Sequence, residues 1–109
     1  MSNTINLHDI DGIPSPLVVT PDENDRGSVI VTFDGVTTPS LSVNTLRERL
    51  SLAVAGDPQI GNLTFLMHPN SERMRVTVRD RDNNFAMGTL PITRLRGLAA
   101  LFPNPAADR

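Results

Sequence analysis

The chain contains no cysteine, no lysine, no tryptophan and no tyrosine. Each absence excludes a class of function. Without cysteine there is no disulfide, no thiolate zinc site and no cysteine nucleophile. With no Trp or Tyr and only four Phe, the aromatic platforms on which single-stranded nucleic acid stacks are missing. No apolar run approaches the roughly 18 residues that a membrane-spanning helix needs. The opening Met1-Ser2-Asn3-Thr4-Ile5-Asn6 is polar and lacks the basic-then-apolar layout of a signal peptide, so a cytoplasmic location is expected. The missing lysine leaves ten arginines as the only strong bases. Codon usage in a GC-rich genome, bacterial or phage, produces that pattern, and so does selection against lysine-directed tagging.

What is present fits one small domain, since 109 residues bury a single core without covalent staples. A formal net charge of −2 marks neither a polybasic nucleic-acid binder nor an acidic mimic of DNA. The charge is unevenly spread. Residues 1–34 set six acidic side chains against Arg26, a net of −5, whereas residues 35–109 set nine arginines against six acids, a net of +3. Either the two parts attract each other within one fold, or the C-terminal part is a mildly basic module behind an acidic segment.

Periodicity predicts an α+β fold: antiparallel sheet with two helices, in the order β-β-β-α-β-β-β-α. Residues 1–14 are expected as a polar arm, 15–103 as the domain and 104–109 as a frayed tail. Pro16–Thr20 is a short strand with prolines on both sides, which favours a sheet edge. Ser28–Phe33 is rich in β-branched residues and runs into Asp34-Gly35, a tight hairpin turn. The return strand begins at Val36 and is limited by Pro39.

A helix follows, capped by Ser42 or Asn44, with capping-box spacing at Thr45-x-x-Glu48. Its apolar face is Val43, Leu46, Leu50, Ala53 and Val54, and Gly56 and Pro58 end it. Leu63–His68, Arg73–Arg79 and Asn84–Thr89 form a meander. A second helix starts near Pro91 and carries Ile92, Leu95, Leu98, Ala99 and Phe102 up to Pro103. The expected core includes Val29, Val31, Leu46, Leu50, Phe65, Met74, Val76, Val78, Leu95, Leu98 and Phe102.

The most distinctive constellation is a row of arginines: Arg73, Arg75 and Arg79 on one face of a strand, with Arg81 in the turn beyond. Guanidinium forks donate two parallel hydrogen bonds to a carboxylate or phosphate, so such a row suits an anionic partner. A solvated strand face neutralised by Glu72, Asp80 and Asp82 accounts for the same pattern.

Other clusters fail on inspection. Asp22-Glu23-Asn24-Asp25-Arg26-Gly27 begins like a calcium loop, but its fifth position is Arg26 and its twelfth is Phe33, where oxygen ligands are required. His8-Asp9-x-Asp11 is a weak metal candidate, and His68 before Pro69 a turn-flanking residue. No Gly-x-Ser-x-Gly elbow and no phosphate-cradling glycine loop occurs. No catalytic residue, metal or cofactor is expected.

In element order, residues 43–102 resemble the double-stranded RNA-binding domain, α-β-β-β-α. Gly88-Thr89 stand where that family has a glycine-containing strand end, and Ala99-Ala100 resemble the small residues of its second helix. The resemblance implies phosphate binding by a cluster of Thr93, Arg94 and Arg96 at the start of that helix, interrupted by Leu95.

Three functional expectations result. The first is a non-enzymatic protein-interaction or accessory protein working through a sheet face or an exposed edge, an edge also being a route to a homodimer. The second is a nucleic-acid-binding module using the arginine row. The third is a small enzyme without a recognisable motif.

Overall fold

Alternation of apolar and polar residues governs most of this chain, and it folds into one curled antiparallel sheet closed by helices. The computed structural model describes residues 3–67 and 71–103. They form β1 (Asn3–His8), β2 (Pro14–Pro21), β3 (Ser28–Phe33) and two short strands, β4 (Val36–Thr37) and β5 (Leu41–Ser42). Helix α1 (Val43–Val54) follows, then β6 (Leu63–Met67), β7 (Arg73–Arg79) and β8 (Phe85–Pro91). A 3-10 turn (Ile92–Arg94) leads into a short helix, α2 (Leu95–Ala99). The α+β class and the broad element order match the periodicity. His68 and residues 104–109 lie outside the described residues. No described helix is long and apolar enough to cross a membrane.

The sheet order is β4-β3-β2-β1-β8-β7-β6, with β5 also paired to β3. Two meanders, β1-β2-β3 and β6-β7-β8, therefore meet at a seam between β1 and β8. That seam holds a single register pair, His8 with Thr89. Inward positions alternate along every long strand: Ile5 and Leu7, Leu17 and Val19, Val29, Val31 and Phe33, Leu63 and Phe65, then Met74, Val76 and Val78. The curl brings Phe33 of one meander onto Gly88 of the other. Helix α1 lies across the gap between the two ends of the sheet, against β5 and β6. It buries Val43, Leu46, Leu50 and Ala53. Phe102, fully buried, meets Phe65 edge to face with ring centres 6.2 Å apart.

The segment expected as a polar arm is corrected. Asn3–His8 is an interior strand that pairs along its length with Pro14–Val19 and buries Ile5 and Leu7. Only two of its residues are apolar, so its period-two signal is faint beside the polar residues that face solvent. The edge position expected for the proline-flanked strand is corrected too. Strand β2 lies between β1 and β3. Its prolines are tolerated because Pro14 and Pro16 pair with β1 only, and Pro21 with β3 only. Each has a side that needs no donor.

Helix α1 is capped by Ser42, whose hydroxyl accepts from the Thr45 amide at 3.5 Å. Thr45 is thus the third helical residue, and the expected Thr45–Glu48 box does not form. At the other end the Asp57 amide donates to Leu52 O and the Gly56 amide to Ala53 O, with Gly56 at φ +86°, a Schellman ending. Val54, expected on the apolar face, is 52% exposed.

The second helix is far shorter than expected. Pro91 ends β8, and the apolar stripe is delivered by a 3-10 turn, five α-helical residues and a final turn reaching Phe102. Every residue expected in the core is buried except Leu95, which is half-buried against it.

One turn occurs twice. In Asp9–Ile13 and again in Asp80–Asn84, the first residue exchanges backbone bonds with the fifth and fourth. Its carboxylate accepts from the amides two and four residues on, all four of these at 2.9 Å. The fourth residue is left-handed in both, Gly12 at φ +78° and Asn83 at φ +68°. Aspartate supplies the acceptor, and Gly or Asn tolerates the conformation.

Candidate functional site

Period two on β7 buries Met74, Val76 and Val78 completely and sends Arg73, Arg75, Thr77 and Arg79 to the outer face of the sheet. The expected orientation of the row is therefore realised. Register fixes its neighbours on that face: Arg75 lies between Leu66 of β6 and Thr89 of β8, Thr77 between Thr64 and Met87, and Arg79 beside Phe85.

The four arginines differ in what holds them. Arg73 is tied down: its Nε donates to Thr89 Oγ1 at 3.1 Å and its terminal nitrogen lies 2.9 Å from His8 Nδ1. A guanidinium can only donate, so the Nδ1 of His8 is the acceptor. This link bridges the β1–β8 seam. Arg79 stacks over the Phe85 ring at 5.2 Å and reaches Asn83 Oδ1 at 3.4 Å. Arg75 and Arg81 are exposed, and their side chains form no hydrogen bond or ion pair with a described residue.

The acids expected to neutralise the row make no contact ion pair with it, and no ion pair joins described residues. The Asp80 carboxylate faces its own turn. It accepts from the Asn84 side chain at 3.0 Å and from the amides of Asp82 and Asn84. The Asn84 side chain foremost, helped by these amides, holds its pKa below the ordinary aspartate value against the opposing desolvation. Asp22 is held low in the same way, by the Ser40 hydroxyl and the Asn24 amide. The acidic loop around it is a hydrogen-bonded turn in which Asp25 accepts from the Ser28 hydroxyl. Asp9 is likewise engaged by its turn.

Both edges of the sheet are covered. Along the outer edge of β6, the Gln59 side chain pairs with the Phe65 backbone as a strand would, donating to its oxygen at 2.9 Å and accepting from its amide at 3.1 Å. Arg49 donates to Leu63 O at 3.0 Å. Along β3, the two short strands β4 and β5 flank Thr38, whose amide and hydroxyl satisfy Val31. These devices occupy part of the ladder that each outer strand would otherwise offer to another chain.

The arrangement implied by the RNA-binding resemblance differs from what is observed. The sheet is shared with the N-terminal third, and Arg94 belongs to a 3-10 turn, donating to Asn6 O at 3.3 Å. What periodicity missed is an open groove of about 820 Å³ beside the row, between Gln59–Asn62 and the Asp80–Asn83 turn. Its only sequence signal was the loop length between Gly56 and Leu63. Comparison with family models, curated proteins and solved structures gives no match for this chain.

Proposed function

We propose that the chain is a non-enzymatic interaction protein that binds a partner protein through the outer face of β7 and β8. The observation that carries this reading is Arg75, an exposed guanidinium at mid-face with no partner among the described residues. On the same face lie the half-buried Leu66 and Met87 and, further along beside Arg79, Phe85, which is 54% exposed. Arginine beside aromatic and methionine side chains is the composition that dominates protein interfaces. The covered edges favour recognition by the face over addition of a strand, and so weigh against an edge-to-edge homodimer.

Nucleic acid is the second reading, favoured by the row itself. It is weakened by Glu72 and Asp82, exposed at the two ends of the row, which repel a continuous phosphate backbone. Affinity capture from the native host with the wild-type chain, Arg75→Glu and Arg26→Glu tests the proposal. A protein retained by the wild type and Arg26→Glu but lost from Arg75→Glu is expected. Retention by all three overturns it. A captured nucleic acid whose affinity falls steeply with salt establishes the second reading.

A further inference from the structure

We propose that the groove at the turn end of this face binds an extended acidic peptide, with carboxylates on Arg79 and Arg81 and an apolar side chain against Ile60. The proposal rests on the reading above and names the partner's chemistry. The groove is donor-rich for three reasons. Arg79 and Arg81 both line it. Asp80, the acid that lines it with them, turns its carboxylate onto three donors of its own turn. The carbonyl oxygens of Arg79 and Asp80 are already taken by the Asn62 side chain, at 3.2 and 3.4 Å.

Asp80 stays ionised, so the lining sets two guanidinium groups against one carboxylate. The oxygens of that carboxylate are occupied, however, while the Arg81 side chain has no partner among the described residues. Arg79 is also held in place by Phe85 and Asn83, which lowers the ordering cost of a bidentate carboxylate contact. The opposite wall offers Ile60, which is 96% exposed. The segment bearing it is fixed. Gln59 clamps it to β6, and Gly61 lies against the Arg49 guanidinium. An exposed apolar side chain next to the guanidinium groups of Arg79 and Arg81 complements a chain that alternates acidic and apolar residues. A duplex backbone offers nothing to Ile60.

The test is fluorescence anisotropy of a labelled peptide of alternating glutamate and leucine, titrated with the full chain at physiological salt. Saturable binding is expected, and replacing every glutamate by glutamine should abolish it. Arg81→Glu should weaken it at least about tenfold. Ile60→Ser should weaken it severalfold, and Arg26→Glu should leave it unchanged. Circular dichroism checks that each variant is folded. Equal binding of the glutamine peptide, or unchanged affinity in folded Arg81→Glu, overturns the proposal. So does binding of double-stranded RNA with no binding of the peptide. If the peptide fails while Arg75→Glu still loses its captured protein, the groove assignment falls and the face reading stands. If that capture also fails to discriminate, both fall.

Discussion

At Gly88 the two meanders approach too closely for a side chain: an added Cβ would lie 2.8 Å from the Phe33 ring and 2.9 Å from Leu7 Cβ. Both neighbours are fully buried and have nowhere to move. Gly88→Ala should therefore cost about 1–3 kcal/mol in urea denaturation; unchanged stability would show that the curl is looser than this. The aspartates that close the turns make a second prediction. Asp80 and Asp22 titrate lower in the folded chain than in the unfolded one. Their contribution is present above the unfolded-state pKa and fades as pH falls through the folded value. Thermal stability should be level near neutrality and fall in acid, and Asp80→Ala should flatten that acid slope. Both carboxylates are only partly covered and remain screened by solvent, so the effect is small; an identical slope in the variant would show that the turn hydrogen bonds do not favour the charged form. Gly88 was visible in the sequence only as a small residue near a strand end. Its role depends on Phe33, whose 55-residue separation no local pattern records.

Elements with dense local signals were legible. Strand β7, the β3 hairpin and helix α1 each carry periodicity together with turn or cap chemistry, and each formed close to where it was expected. At the hairpin, Asp34 and Gly35 both take positive φ, as a two-residue turn between antiparallel strands demands. Elements whose existence depends on distant partners were not legible. Strand β1 is stabilised by β2 and the seam, and the last helix is cut short because Leu98, Leu101 and Phe102 are drawn into the core. The arginine row could be read from β7 alone, whereas the groove needed three segments to be brought together. The covered edges belong to this scale as well. Gln59→Ala should uncover Phe65 on β6 and promote self-association, read by light scattering across a concentration series. A variant that stays as monodisperse as the parent would mean that the Gln59 clamp does not guard the edge.

For the molecule as a whole, the uneven charge has a local cause. Asp9, Asp22 and Asp25 in the acidic third serve their own turns, and no ion pair among described residues ties that third to the arginines. Within the row, the side chains of Arg75 and Arg81 are consequently left without a partner among the described residues, on the outer side of the sheet. Since the chain has ten arginines and no lysine, an arginine-directed dicarbonyl reagent reports on that face directly. The free chain and its complex with a captured partner would be labelled and read by mass spectrometry. Protection of Arg75, Arg79 and Arg81 in the complex, with Arg26 and Arg96 labelled as in the free chain, is the predicted result. Protection of Arg26 or Arg96 with Arg75 still fully labelled would place the partner elsewhere and contradict the account.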